Sequence, residues 1–143
     1  MAINIETKRT QPSTLFLKFA KRAVEELCSS VQGVNSVVLA SGDGFEVASV
    51  TNQQNLDRGK VAAVSSSLLS MVQAFISEIK LEDCQSFILD ASNGKAIIAH
   101  VACDHYPMVL VVLTDKKALL GQVLHAMRFC SQRLVEGDLK LTS

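Results

Sequence analysis

Three stretches of the chain place apolar residues at the three- and four-residue spacing of a helix with one buried face. They cover residues Leu15–Val31, Arg58–Ile79 and Lys116–Glu136. Asp57 is expected to cap the second helix and Thr114-Asp115 the third, because short polar side chains accept hydrogen bonds from the first backbone amides. Gly33 and Gly137 are expected to end the first and third helices.

Five shorter apolar runs predict strands. They cover residues Ser36–Ala40, Phe45–Val50, Gln85–Ala91, Lys95–Ala102 and Tyr106–Leu113. Gly42-Asp43-Gly44 predicts a hairpin turn between the first two strands, and Asn93-Gly94 predicts one between the third and fourth. The last run is apolar on both faces, which is typical of a central strand covered on both sides. The predicted order is therefore helix, two strands, helix, three strands, helix.

The second predicted helix has no charged residue from Val61 to Ser77. One side carries larger apolar residues and is expected to pack on the sheet: Val61, Val64, Leu68, Val72, Phe75 and Ile79. Another side, which we name the small-residue seam, carries only small residues: Ala63, Ser67, Ser70, Ala74 and Ser77. Lysine and glutamate would be usual on a solvated helix face, whereas small side chains let two helices approach closely.

Three explanations of the small-residue seam are open. The helix could be buried on several sides within its own chain. A membrane span is disfavoured, because five serines and a glutamine interrupt a stretch shorter than the roughly 20 residues that a bilayer needs. We favour a helix that faces the sheet on one side and a second copy of the chain on the other, and so predict an obligate homodimer.

Composition limits the remaining possibilities. The chain has 143 residues, 48% of them hydrophobic, and fourteen basic residues balance fourteen acidic ones. We expect one domain over residues 14–137, a flexible lead-in over 1–13 and a tail over 138–143. Zero net charge argues against a nucleic-acid partner and an anionic membrane surface, since both favour a basic surplus. Because the sequence shows neither a secretory signal nor a dense cysteine framework, we expect a cytoplasmic protein without membrane insertion.

No motif for catalysis or cofactor binding is found. The sequence has no P-loop, and Cys103-x-His105 would need two further ligands to hold zinc. A two-residue Asn93-Gly94 turn would place Cys84 opposite Cys103, where reduced thiols are expected and a redox or metal site is the alternative. The carboxylates fall on predicted helix faces and turns, where they are hydrated. We therefore expect no enzyme activity, no cofactor and no metal.

Several local sequences resemble the roadblock / dynein-light-chain family. They cover residues Val31–Val34, Ser36–Leu39, Gly42–Ala48, Asn93–Lys95, Val109–Leu113 and Leu119–Gly121. Each is short, but their order and spacing are similar to the family over residues 15 to 134, which is most of the chain.

The resemblance implies an α+β fold of the profilin-like roadblock type. This is a single-domain three-layer sandwich, in which a five-stranded antiparallel sheet carries the first and third helices on one face and the second on the other. It also implies dimers in which edge strands join, so that Phe87 and Leu89 of the third strand would lie at the interface, and in which the second helices pair. The latter agrees with the small-residue seam.

Members of this family are non-catalytic, and they bind small Ras-like GTPases as activators or scaffolds or serve as light chains of motor complexes. The resemblance therefore implies a homodimeric interaction module that regulates or scaffolds a small GTPase. Any stimulation of hydrolysis would be indirect, because the nearest candidate for an inserted arginine, Arg58, is expected to be solvated. The alternatives are a nucleotide-independent assembly or light-chain adaptor and a small-ligand sensor. No GTPase-contacting residue follows from a motif.

Overall fold

A computed structural model of the protein describes residues 12–141. Residues 1–11 of the predicted lead-in and 142–143 of the predicted tail lie outside this range. The elements are, in chain order, α1 (Thr14–Ser30), β1 (Val34–Ser41), β2 (Glu46–Thr51), α2 (Arg58–Glu78), β3 (Ser86–Ala91), β4 (Gly94–Val101), β5 (Met108–Asp115) and α3 (Leu120–Leu141). The predicted order of elements is confirmed.

The five strands form one antiparallel sheet in the order β2-β1-β5-β4-β3. β5 lies in the middle, as its two apolar faces predict. Its Leu110 and Val112 pack with α1 and α3, whereas its Val109 and Val111 pack with α2 on the other face of the sheet. The predicted three-layer α+β architecture is therefore confirmed, with β2 and β3 as the two edges of the sheet.

The helix signals near α1 and α2 are placed as expected. The Asp57 carboxylate accepts a hydrogen bond from the amide of Lys60 at 3.1 Å and caps α2. α1 ends at Ser30, and Gly33 follows with φ of +95°. A side chain at Gly33 would be strained and would also collide with Ala118, since its Cβ would lie 2.7 Å from the Ala118 Cβ.

α3 differs from its prediction at both ends. The Asp115 carboxylate closes a turn before the helix, which begins only at Leu120. Gly137 does not end the helix, which continues to Leu141. Instead, Gly137 is buried against α1, where an added Cβ would lie 2.5 Å from Phe19 Cε2. Glycine is required there because the two helices approach closely. From the sequence alone, such a glycine cannot be distinguished from one that ends a helix.

The β3–β4 turn is shifted by one residue from the predicted Asn93-Gly94. Ala91 pairs with Gly94, so the turn consists of Ser92 and Asn93. Gly94 belongs to β4 and lies so close to β5 that an added Cβ would stand 2.1 Å from the carbonyl oxygen of Thr114. The glycine is required by this approach of two strands and not by the turn.

The shifted turn changes the register of the hairpin by two residues. Ser86 pairs with Ala99, whereas an Asn-Gly turn would pair it with Val101. The prediction that Cys84 lies opposite Cys103 is therefore wrong. Both cysteines flank the hairpin, outside its paired residues.

Candidate interaction surface on the second helix and an edge strand

The face of α2 that packs on the sheet is made mainly of small side chains. Ala62, Ser65, Ser66 and Leu69 are its buried residues. They lie over the sheet residues of one apolar cluster: Val38, Ala40, Ile98, Val109 and Val111. The sheet supplies the bulky side chains and the helix the small ones, so the two approach closely.

This arrangement contradicts the predicted sheet-facing stripe of larger residues. Val64, Phe75 and Ile79 are exposed, with 51%, 61% and 45% of their surface accessible, whereas the other three stripe residues are half-buried. The hydroxyl of Ser66 donates to the carbonyl of Gly42 at 2.6 Å. A buried serine is acceptable on this face because its polar atom has a partner.

The small-residue seam lies on the outer face of α2. All five of its residues are exposed: Ala63, Ser67, Ser70, Ala74 and Ser77. Val64, Met71 and Phe75 flank the seam, and Met71 is 67% exposed. The seam is therefore not covered by its own chain within the described residues, and α2 presents an uncharged and largely apolar surface over about four turns. Continuous apolar surfaces of this kind mark interaction sites.

By length and composition, α2 is also the one helix of residues 12–141 that could cross a membrane. Core helices of soluble proteins meet the same criteria, and here the helix lies across a sheet with Ser66 bonded to a strand turn. The absence of membrane insertion stays a prediction.

β3, the strand at one edge of the sheet, is poorly covered. Its burial is low along its whole length, and Ile88 and Leu89 are 39% and 47% exposed. Phe87 is half-buried beside the cluster under α2. Leu89 lies on the same face of the strand as Phe87, because side chains two residues apart point the same way. The exposed edge and the outer face of α2 are thus neighbouring surfaces.

β2, at the opposite edge, is occupied by polar contacts. The Lys21 ammonium donates to the carbonyl of Ser49 in the middle of the strand. The Ser49 hydroxyl donates to Glu46 at 2.5 Å and accepts a hydrogen bond from the Arg58 guanidinium at 3.2 Å. Arg58, expected to be solvated, is exposed but held against β2. Coverage of an edge strand by side chains of a neighbouring helix hinders further strand pairing. β2 is covered in this way, whereas β3 is not.

The remaining polar residues do not form a reactive site in the part of the chain that the structure describes. No group of three histidine, cysteine, aspartate or glutamate residues there could hold a metal ion. His105 lies in a loop, where its amide donates to the buried Asp138 carboxylate at 2.9 Å and its Nδ1 lies 3.2 Å from the same oxygen. His100 and His125 are on β4 and α3.

The four cysteines are free thiols. Burial raises the pKa of Cys103 to about 12, with a further contribution from Asp138 and Asp104. Burial also raises the pKa of Cys130 to about 11. Cys103 Sγ donates to the carbonyl of Leu134 at 3.7 Å. Since the thiolate is the reactive form of cysteine, these two thiols are held in the unreactive state.

The sequence matches the family model of the Roadblock/LC7 domain over residues 21–114, about two thirds of the chain. The protein belongs to the Roadblock/LC7 family. Its matched region begins within α1 and ends near the end of β5, so it includes α2 and β3. No curated protein matches the sequence significantly.

Solved structures share the fold at low sequence identity. One, titled MglB with tetrameric arrangement, is 16% identical, with a TM-score of 0.80 over 92% of this chain and 99% of its own. The gliding protein MglB of Thermus thermophilus is 16% identical, with a TM-score of 0.77 over 92% and 99%. A Roadblock/LC7 domain of Streptomyces avermitilis is 16% identical, with a TM-score of 0.73 over 86% and 98%. Because the chain spans nearly the whole of these proteins, the resemblance concerns the complete roadblock fold.

Proposed function

We propose that this protein is a non-catalytic homodimeric module of the cytoplasm that regulates or scaffolds a small Ras-like GTPase. The observation that carries the proposal is the outer face of α2, which is uncharged from Val61 to Ser77 and exposed along the small-residue seam. A second copy of the same face would remove this surface from water. A two-fold arrangement makes the contact self-complementary.

The charges at the two ends of α2 favour an antiparallel pair of helices. Lys60 lies in its first turn and Glu78 at its end, with no charge between Val61 and Ser77; Asp57 caps the helix, and Arg58 is held against β2. In an antiparallel pair Lys60 of each helix lies beside Glu78 of its partner. A parallel pair would place like charges together, which is unfavourable.

The open edge of the sheet fits the same two-fold arrangement. Two copies of β3 could pair as antiparallel strands and continue the sheet from one protomer into the next. Phe87 and Leu89 would then lie on the α2 side of the joined sheet, next to the paired helices. β2, which is occupied by Lys21, offers no equivalent edge.

Family membership supports the GTPase partner. Structures with this fold include proteins named MglB, one of them titled as a gliding protein and another with a tetrameric arrangement. Because residues 12–141 contain no group that could hold a metal ion, we expect the module to act by ordering the switch loops of the GTPase, which carry the groups that position the attacking water. An adaptor that ignores the nucleotide state is the competing proposal.

The dimer is tested with Ser70→Glu, which adds a charge at the centre of the small-residue seam. Two carboxylates close to the two-fold axis would repel each other in a desolvated contact, so the variant should sediment as a monomer at concentrations where the wild type is a dimer. Ser29→Glu is the matched control, since Ser29 is exposed near the end of α1 on the other face of the sheet. If Ser70→Glu remained dimeric, α2 would not be the interface.

The partner is tested with purified Ras-like GTPases from the same genome, loaded with GDP or a GTP analogue. Preferential binding of one nucleotide state, with changed GTP hydrolysis, would support regulation. Equal binding of both states would support the adaptor instead. Binding to none of the GTPases would contradict the GTPase proposal while leaving the dimer intact.

A further inference from the structure

A second surface lies on the face of the sheet opposite α2, in a groove between α1 and α3. The groove combines a cavity of about 700 Å³ with a smaller one of about 130 Å³, and both are lined by Ser30, Ala126 and Phe129. It follows α3 from Gly121 to Arg133, a distance of about 18 Å at the rise of an α-helix. Because the sheet separates it from α2, the groove stays open in the proposed dimer.

Phe129 forms an exposed apolar wall of this groove. Its side chain is 59% accessible. The Arg133 guanidinium lies 5.9 Å from the centre of the Phe129 ring and 5.5 Å from that of Phe19. An ion pair with Glu26 on α1 holds the guanidinium in this position. One side of the Phe129 ring therefore has a neighbour that is itself held in place, and preorganisation of this kind lowers the entropy lost on binding.

The layer that contains the groove is basic, although the whole chain is neutral. Residues 14–30 and 116–141 carry eight basic and four acidic side chains. Two of the acidic ones, Glu25 and Glu26, are in ion pairs, and Asp138 is buried beside His105. Within the described chain, six cations of this layer make no ion pair: Lys18, Arg22, Lys116, Lys117, Arg128 and Lys140. Of the four acidic residues counted, Glu136 is the one that is exposed and in no ion pair within the described chain.

From this combination we infer that the α1–α3 groove binds an acidic amphipathic helix of a partner protein. The two walls are helices, whose backbone groups are bonded internally, so a bound segment gains no strand pairing and must contribute side chains. Apolar residues on one face of a helix of about 12 residues would fill the groove beside Phe129. Acidic residues on its flank would meet two of the unpaired cations, Lys18 and Arg22, which lie two turns and one turn before Glu26 on the exposed side of α1. This contact would fix the orientation of the bound helix and speed its association.

The test uses two labelled helical peptides of about 14 residues, a length that spans the groove. Both carry leucine at every third or fourth position, with glutamate between the leucines in one and lysine in the other. Fluorescence anisotropy should show at least about tenfold tighter binding of the glutamate peptide, with the difference decreasing at high salt. Equal affinity for both peptides would overturn the inference.

Substitutions test whether the glutamate peptide binds in the α1–α3 groove. Phe129→Ser should weaken binding of the glutamate peptide at least about tenfold, because an aromatic anchor in a groove contributes much of the affinity. Phe75→Ser is the matched control, since Phe75 is similarly exposed but lies on the outer face of α2. Arg22→Glu, on the exposed side of α1 one turn from Glu26, is a second variant that reverses a charge without altering the core. Unchanged binding in both Phe129→Ser and Arg22→Glu would overturn the inference.

An anionic lipid surface is the competing ligand for a basic face. Sedimentation with phosphatidylserine vesicles distinguishes it. Vesicle binding that is lost in Phe129→Ser, together with no binding of the glutamate peptide, would overturn the inference in favour of a membrane. Loss of peptide binding in Phe129→Ser but not in Ser70→Glu would show that the groove acts independently of the dimer, so this result and the dimer experiment can fail separately.

Discussion

Gly94 is required by the close approach of β4 to β5 and not by the β3–β4 turn. An added Cβ would stand 2.1 Å from the carbonyl oxygen of Thr114, a backbone atom that cannot rotate away. We expect Gly94→Ala to lower the free energy of unfolding by about 1–3 kcal/mol, the usual cost of overpacking. Urea denaturation at one fixed protein concentration measures it.

Gly121→Ala is the control for this substitution. Gly121 lies near the start of α3, and no atom lies within 4 Å of an added Cβ. Alanine there should leave stability unchanged or raise it by less than about 1 kcal/mol. Wild-type stability of Gly94→Ala would show that β4 and β5 separate easily at this point.

The buried thiols of Cys103 and Cys130 should make stability depend on alkaline pH. Their folded pKa values are raised by burial to about 12 and about 11, above the ordinary value of 9.0 that the unfolded chain retains. Below pH 9 both states hold the protons, and the stabilisation is complete. As the pH rises from 9 toward 11 and 12, only the unfolded state releases protons, so the free energy of unfolding should fall.

Cys103→Ala isolates this effect. The variant should be less stable at pH 8, because it leaves a small cavity, but its stability should fall less steeply between pH 9 and 10.5. Urea denaturation over this range gives both slopes. Parallel pH curves for the variant and the wild type would mean that Cys103 titrates normally in the fold.

Among the elements, α2 shows what the sequence could and could not predict. Its limits, its Asp57 cap and the exposed small-residue seam follow from local signals. The side of α2 that faces the sheet could not be predicted from local signals, because a helix without charges from Val61 to Ser77 has no charged face that marks the solvent side. The choice of Ala62 and Ser66 for the sheet depends on the bulk of the strands below, which is a tertiary property.

The groove between α1 and α3 does not follow from the sequence for a related reason. The apolar stripe of each helix predicts which residues face the sheet, but Phe129 and Arg133 lie at the border of that stripe. Their contact joins residues of α3 with Phe19 and Glu26 of α1, more than 100 positions away. The one signal in the sequence that indicates the groove is an aromatic residue, Phe129, in a pair of helices rich in lysine and arginine.

The orientation of paired α2 helices can be tested by exchanging charges. Lys60→Glu or Glu78→Lys alone should weaken the dimer several-fold. In an antiparallel two-fold pair each change acts twice, on contacts worth about 0.3–1 kcal/mol. The double variant Lys60→Glu/Glu78→Lys should regain wild-type affinity to within about twofold, as measured by sedimentation velocity. Single variants with wild-type affinity would indicate a parallel or unrelated contact, because in a parallel pair each substitution exchanges one contact between like charges for another.

The whole molecule has no net charge, but its two faces differ in charge. The α2 side is uncharged over four turns, whereas the α1–α3 layer has a surplus of cations. The zero net charge of the whole chain argues against partners that prefer a basic protein. It does not exclude a basic surface on one layer, because acidic residues elsewhere in the chain balance the surplus of cations. The sheet between the layers lets one face serve the dimer while the other remains available.

The two edges of the sheet give the last prediction. In a single protomer, the amides of β3 that point away from β4 face solvent and should exchange hydrogen rapidly. When β3 pairs with its copy, these amides become bonded and exchange should slow by at least about tenfold. Hydrogen exchange measured above and below the dimer dissociation constant should therefore change in β3 but not in β2, which lies at the opposite edge of the sheet and stays unpaired in the proposed dimer. Ser70→Glu should show rapid exchange in β3 at every concentration. Protection of β2 that depends on concentration would contradict the prediction, because it would place the interface at β2.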